Sequence, residues 1–152
     1  MRTHLIAVGR MKAGPERTLF DHYAARLSPS PQVREVEEKR ALPSAKRKAS
    51  EAALLLGAVP DGAMIVAMDE RGKSLSSPVF ATMLGGWRDE GIRDVAFLIG
   101  GADGLDKSVR QKANLILSLG AMTWPHMLMR GLLAEQIYRA HAILTGHPYH
   151  RE

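Results

Sequence analysis

Near residue 100 the chain reads Val95-Ala96-Phe97-Leu98-Ile99-Gly100-Gly101-Ala102-Asp103-Gly104. Five apolar residues followed at once by glycines are typical of a buried strand that ends in a tight turn. Glycines at such a turn let the backbone approach a bound molecule and leave its amide groups unobstructed. The spacing Gly-Gly-x-x-Gly does not match the dinucleotide fingerprint, so the segment taken alone is either a simple turn or a cofactor loop.

Away from this segment, short apolar runs alternate with longer amphipathic ones. The further predicted strands are Leu5–Val8, Met64–Met68 and Leu115–Leu119, with an exposed strand at Val33–Val36. The predicted helices begin at Pro15, cover Ala45–Leu56, run from Ser77 to about Gly91, and cover His126–Leu144. Strands separated by helices predict an α/β fold with a parallel sheet covered on both faces, and ligands at the C-terminal ends of its strands.

Length and composition exclude several classes of protein. The 152 residues predict one domain over 1–152, since a domain typically takes ~100–200 residues. The absence of cysteine excludes disulfides, cysteine-bound zinc and thiol nucleophiles, and it favours a cytoplasmic protein. No apolar run approaches the ~20 residues that span a bilayer, so we expect no membrane partner. A formal net charge of +5 indicates moderate attraction to a polyanion such as RNA.

A second candidate loop follows the strand Leu115–Leu119 and leads into the last helix. It reads Gly120-Ala121-Met122-Thr123-Trp124-Pro125-His126. Its backbone groups and apolar, aromatic rim could hold an adenine, and the alternative is that Met122 and Trp124 fill core space. By contrast, Gly72-Lys73-Ser74 lacks the first glycine of a phosphate loop and follows two acidic residues, so we expect no nucleotide triphosphatase.

The last helix carries apolar side chains around about half of its circumference. Two interpretations are equally supported: the helix is wedged deep in its own domain, or it forms a homodimer interface. Arg139 falls inside the apolar arc, where Glu135 could pair with it.

The chain ends in groups suited to stacking, proton transfer and phosphate pairing: His147-Pro148-Tyr149-His150-Arg151-Glu152. A His-x-x-His metal site is the obvious alternative, but no third ligand is evident nearby, so we predict no metal.

The ordered set of motifs resembles the RNA large-subunit methyltransferase H family over the whole chain. The motifs are Ile6-Ala7-Val8-Gly9, Met68-Asp69-x-x-Gly72-Lys73, Leu98-Ile99-Gly100-Gly101-x-x-Gly104, Leu119-x-x-Met122-Thr123-Trp124-Pro125-His126, Glu135-Gln136-Ile137-Tyr138-Arg139-Ala140 and the terminal hexapeptide. The resemblance implies a SPOUT-class methyltransferase fold with a C-terminal trefoil knot. It also implies a homodimer that uses S-adenosylmethionine to methylate N3 of a pseudouridine in 23S rRNA, which we expect it to meet within the assembled ribosome.

The resemblance also implies the site residues. The cofactor pocket would comprise Met68, Gly100, Gly101, Gly120, Ala121, Met122, Thr123, Trp124 and Pro125. RNA-contacting residues would complete a composite site across the dimer: Arg130, His147, Tyr149, His150 and Arg151.

Chemical roles follow as hypotheses from what methylation of an imide nitrogen requires. His150 is the candidate for assisting deprotonation, Arg151 or Arg130 for stabilising the imide anion, and Tyr149 for stacking or hydrogen bonding to the base. Two alternatives stay open: a noncatalytic RNA- or ribosome-binding factor that uses the same basic surface, and a SPOUT enzyme that acts on tRNA.

Overall fold

The computed structural model of the chain describes residues 1–151, and Glu152 of the terminal motif lies outside the described residues. Strands and helices alternate from the N-terminus. In chain order they are β1 (Arg2–Val8), α1 (Pro15–Ala24), β2 (Gln32–Val36), α2 (Ser44–Gly57), β3 (Met64–Ser74), α3 (Ser77–Asp89), β4 (Asp94–Ile99), α4 (Lys107–Lys112), β5 (Leu115–Ser118) and α5 (His126–Thr145).

The five strands form one sheet in the order β2-β1-β4-β3-β5, and every neighbouring pair is parallel. β4 lies in the middle and is buried along its whole length, as its unbroken apolar sequence predicts. β2 is an edge strand with mostly exposed residues, which agrees with the exposed strand predicted there. The parallel α/β architecture predicted from the sequence is therefore confirmed.

Alternate side chains of the sheet enter two separate cores. Val95, Phe97 and Ile99 of β4 pack into the core that contains α1, α3 and α5. Ala96 and Leu98 point to the opposite face, where α2 and α4 cover the sheet. The result is a three-layer arrangement that leaves the C-terminal ends of the strands free to form a site.

Two elements differ from the prediction. β3 runs to Ser74 rather than stopping at Met68, because a bulge between Met68 and Lys73 lets a second segment pair with β5. A Cβ at Gly72 would lie 2.4 Å from the Ile116 carbonyl oxygen, so this glycine permits close strand approach and belongs to no phosphate loop. The six-residue α4 was not predicted, since a helix this short shows no periodicity.

α5 packs against both α1 and α3, which supports the interpretation that it is wedged within its own domain. Gly146 ends it with a left-handed φ of 70°, as glycine commonly does after a helix. One face of the helix stays only half-buried, and this outer stripe consists of Leu128, Leu132, Glu135, Arg139 and Ile143. Homodimerisation, the trefoil knot and the single-domain assignment stay predictions at this point.

Within residues 1–151, no helix has both the length and the apolar character that crossing a membrane requires.

Candidate functional site

A cavity of about 610 Å³ opens at the C-terminal ends of β3, β4 and β5. Pockets for small ligands typically measure ~300–1,000 Å³. Its walls come from the bulge within β3, from the loops after β4 and β5, and from the first turn of α5. The lining residues are Met68, Asp69, Glu70, Arg71, Ile99, Gly100, Gly101, Ala102, Asp103, Gly104, Leu105, Leu117, Leu119, Gly120, Met122, Thr123, Trp124, Pro125, His126 and Met129.

The floor of the cavity is apolar because three neighbouring strands place apolar side chains there in register. Met68 of β3 lies opposite Ile99 of β4 and Leu117 of β5, and all three side chains belong to the same buried core. The floor is therefore a continuation of the core.

The first wall is the glycine loop after β4. The Gly104 amide donates to the Gly101 carbonyl oxygen at 3.0 Å, which closes a tight turn. A Cβ on Gly100 would lie 2.8 Å from the Gly104 backbone, and one on Gly101 would lie 3.0 Å from Val8 Cγ1. Gly100 therefore excludes a side chain, a side chain at Gly101 would be tightly packed, and the loop presents its backbone to the cavity.

The second wall is the loop from Gly120 to Pro125. Ser118 Oγ accepts from the Gly120 amide at 3.1 Å, and Gly120 turns the chain with a φ of +114° that favours glycine. Trp124 Nε1 donates to the Leu119 carbonyl oxygen at 3.3 Å. Met122 is 75% exposed and does not fill core space, while Ala121 belongs to the loop but not to the cavity lining.

The third wall is the bulge of β3, which the sequence analysis did not include in the site. Thr123 Oγ1 donates to Glu70 Oε2 at 3.0 Å, so a hydrogen bond joins the bulge to the loop after β5. Asp69 is paired with Arg71 and Arg110, so its charge is compensated. Glu70 is exposed at the lining, and its carboxylate, which in the sequence argued only against phosphate, favours a cationic ligand.

His126 begins α5 and also lines the cavity; it ends the candidate loop predicted from the sequence but was not among the implied cofactor residues. Burial lowers its pKa, and the nearby Arg130 guanidinium lowers it further. Both effects favour the uncharged form of the ring.

The C-terminal tail lies elsewhere, along the middle of α5. Tyr149 Oη donates to Glu135 Oε1 at 2.9 Å, and the Tyr149 ring meets the Tyr138 ring edge-on with centroids 4.7 Å apart. Glu135 follows Met129 by six residues, which is ~9 Å along the helix axis. Of residues 147–151, none lines the cavity of its own protomer.

The side chains of the tail differ in burial and in their contacts with the rest of the chain. Burial raises the pKa of the Tyr149 phenol, as do its hydrogen bonds with Tyr23 and Glu135, so Tyr149 stays neutral at any physiological pH. His147 and Arg151 are exposed, while His150 is half-buried with its Nδ1 at 3.1 Å from Arg139 Nη1.

The structure corrects the expectation for Arg130, which was predicted to contact RNA. Arg130 is only 1% exposed. Its guanidinium donates to Glu35 Oε2 at 2.6 Å and to the carbonyl oxygens of Val8 and Gly9 at 3.1 and 2.8 Å. It therefore joins α5 to the ends of β1 and β2, because a buried cation must be paired, and it offers no free charge to a phosphate.

A glycine-walled cavity at the carboxyl edge of a parallel sheet is the place where α/β proteins commonly bind small ligands. The family model described as "Predicted SPOUT methyltransferase" matches residues 1–150, and the chain belongs to that family. It is accordingly a methyltransferase, and the predicted enzyme class and fold are confirmed.

Full-length relatives agree with this family. The chain is 60% identical over 151 residues to a protein of Paramagnetospirillum magneticum named "Ribosomal RNA large subunit methyltransferase H", with 99% of both chains covered. A protein of the same name from Rhodospirillum centenum is 56% identical, again with 99% of both chains covered.

Two solved structures share the fold at low sequence identity. A probable methyltransferase from Bordetella pertussis Tohama I has a TM-score of 0.58 and 13% identity, covering 91% of this chain and 95% of its own. A probable methylase family protein from Haemophilus influenzae Rd KW20 has a TM-score of 0.59 and 10% identity, covering 99% and 70%.

Proposed function

We propose that this chain is a cytoplasmic enzyme that transfers a methyl group from S-adenosylmethionine to N3 of a pseudouridine in 23S rRNA of the large ribosomal subunit. The observation that supports this most directly is the cavity between Gly101 and the loop Gly120–Pro125, in a chain 60% identical to a large-subunit rRNA methyltransferase along nearly its whole length.

The residues around the cavity fit S-adenosylmethionine. The apolar floor and the Trp124 ring suit an adenine, and the glycine loops offer backbone groups to its polar edges. Glu70 and Asp103 place carboxylates at the lining, which favours a ligand with a positively charged sulfonium. Met68, Gly101 and the loop after β5 would hold the cofactor.

Methyl transfer depends above all on how the acceptor nitrogen is oriented toward the methyl carbon. S-adenosylmethionine, held by the loops around the cavity, would supply an electrophilic methyl carbon to N3, whose proton would leave to solvent. The chain contributes by holding the base in line with that carbon, and correct placement alone supplies much of the rate acceleration.

The position of the tail supports a composite site in a homodimer. Because residues 147–151 lie along α5 and outside the cavity of their own protomer, they can act on substrate at a partner's cavity when two copies associate. The outer stripe of α5 offers the contact surface, since Leu128, Leu132 and Ile143 are apolar and only half-buried there. Exposed Met122 and Trp124 extend this apolar surface next to the cavity.

Incubation with labelled methyl donor tests the function directly. The substrates are ribosomes or isolated rRNA that lack the modification, and mass spectrometry then locates the label. We expect one labelled pseudouridine in 23S rRNA, and uridine at that position should react more slowly because it lacks the N1–H donor. Label on tRNA, or no transfer by a folded protein, would contradict the proposal.

Removing residues 147–152 tests the tail. We expect cofactor affinity to survive, because none of residues 147–151 lines the cavity, while single-turnover methylation falls by ~10²-fold or more, as for loss of a transition-state contact. Calorimetry measures the first quantity and rapid-quench assays the second. Near-wild-type rates from the truncated protein would remove the tail from the mechanism.

A further inference from the structure

The C-terminal histidine is held by an arginine that dictates which of its ring nitrogens can carry a proton. We infer that Arg139 fixes His150 as a hydrogen-bond donor to the target base through Nε2, so that His150 is not the proton acceptor of the reaction. The inference rests on the proposed function and assigns Arg139 as a positioning residue for it.

The hydrogen bond between the two side chains sets the tautomer. Arg139 Nη1 lies 3.1 Å from His150 Nδ1. A guanidinium has only N–H donors and stays protonated in proteins, so Nδ1 must accept with its lone pair. The neutral imidazole then carries its proton on Nε2, and its only remaining polar group is a donor.

Arg139 is itself held in place from several sides. Its Nε and Nη2 donate to Glu135 Oε1 at 3.0 and 2.5 Å, and its Cζ lies 4.9 Å from the centroid of the Tyr149 ring. Tyr149 Oη donates to the same Glu135 oxygen and lies 3.3 Å from Tyr23 Oη of α1. The guanidinium therefore cannot turn away from His150 without breaking this network.

The Nε2 atom of His150 has no partner. It is buried, and no hydrogen bond to it forms among residues 1–151. A buried donor without an acceptor costs stability. An acceptor atom supplied by a ligand would form the missing hydrogen bond with Nε2–H and remove that cost.

The target base supplies such an acceptor. N3 of a pseudouridine lies between two carbonyl groups, whose oxygens gain negative charge as N3 loses its proton. A fixed N–H donor to one of these oxygens stabilises the imide anion in the same way as an oxyanion-hole donor. The N3 proton would then pass to solvent water, and the electron pair left on N3 would bond to the methyl carbon as that carbon's bond to the sulfonium sulfur of the donor breaks.

Replacing the imidazole of His150 by an amide distinguishes a hydrogen-bond donor from a proton acceptor at this position. His150→Gln keeps one acceptor for Arg139 and one N–H donor near the position of Nε2, but it has no titratable base. We expect its single-turnover rate to stay within ~10-fold of wild type with the same pH profile, and His150→Ala to lose ~10²-fold. His141→Gln, at an exposed histidine of the same helix, is the matched control.

Equal losses in His150→Gln and His150→Ala, with a flattened pH profile in both, would overturn the inference. The titratable and charged groups of the network around His150 are Glu135 and Arg139 of α5, Tyr23 of α1 and Tyr149, with Arg151 next in the chain. The pKa of Tyr149 is raised by burial and by its hydrogen bonds, so this phenol does not contribute to the profile near neutrality.

Nitrogen-15 NMR of the histidine rings reads the tautomer without any substrate. The His150 signals, identified by their absence in His150→Gln, should show an unprotonated Nδ1 and a protonated Nε2 in the neutral ring. Arg139→Met should abolish this preference, and Arg139→Lys should restore it in part because an ammonium also donates. A proton on Nδ1 in the wild type would refute the inference. If the tautomer is as expected but the wild type methylates no RNA, the proposed function and the donor role fail while the positioning by Arg139 stands.

Discussion

Arg130→Met should destabilise the protein by about 3 kcal/mol and leave RNA affinity unchanged. The guanidinium makes three hydrogen bonds, to Glu35, Val8 and Gly9. A hydrogen bond that involves a charged group contributes ~1.5–3 kcal/mol, so three of them at the lower bound contribute about 4.5 kcal/mol. Arg130 Nε is buried without an acceptor among residues 1–151, and removing it returns ~1–2 kcal/mol.

Glu35 adds a pH dependence with a definite sign. Burial raises the pKa of Glu35, but hydrogen bonds from Arg130 and the Met11 amide together lower it below the ordinary 4.5. Its ionised form therefore stabilises the folded state above pH 4.5, and that contribution is lost as the pH falls through the lowered folded-state pKa. The stability difference between wild type and Arg130→Met should shrink over the same range.

Urea unfolding at one fixed protein concentration measures the stability, because an oligomer's apparent stability depends on concentration. Arg151→Met is the matched control: the side chain is exposed, so we expect a stability change within ~0.5 kcal/mol and weaker RNA binding instead. Unchanged stability with reduced RNA affinity in Arg130→Met would show that Arg130 is a surface contact after all. A double-mutant cycle with Glu35→Gln should give a coupling of ~1 kcal/mol or more.

Three further predictions concern the cavity, the outer stripe and the sheet. Gly101→Val should weaken S-adenosylmethionine binding by ~10-fold or more in calorimetry, because a side chain there displaces the loop against Val8. Gly86→Val is the control and should leave binding unchanged, because its Cβ meets nothing within 4 Å. Leu132→Asp should produce monomers or aggregates in sedimentation experiments, while Leu54→Asp at an exposed leucine of α2 should not. An active wild-type monomer at micromolar concentration would refute the dimer. Hydrogen bonds from Arg2 and His4 lower the pKa of Asp94 from an ordinary 3.8 to about 2. The ionised carboxylate therefore stabilises the fold above pH 3.8, and this contribution is lost as the pH falls through about 2. Acid unfolding of Asp94→Asn should lack that component, and an unchanged acid transition would contradict it.

The candidate site was only partly predictable from the sequence. The two glycine-bearing loops were found because each follows an apolar strand directly, and chain neighbours along a strand and its loop stay neighbours in space. Glu70 was missed, since its place in the lining depends on a bulge in β3 that has no local signature. His126 stood in the predicted loop, but its side chain was given no role, because its place in the lining depends on how α5 packs.

Apart from the short helix α4, the order of strands and helices and the parallel sheet follow from apolar periodicity and from glycine and proline positions, which act over a few residues at a time. The burial of Arg130, the strand order β2-β1-β4-β3-β5 and the place of the tail on α5 do not follow from such patterns. Each of them depends on contacts between residues far apart in the chain, such as Arg130 with Glu35 and Tyr149 with Tyr23. An arginine in an apolar arc has the same local sequence whether it faces RNA or a carboxylate, and only the packing of α5 against the strand ends determines which partner it meets.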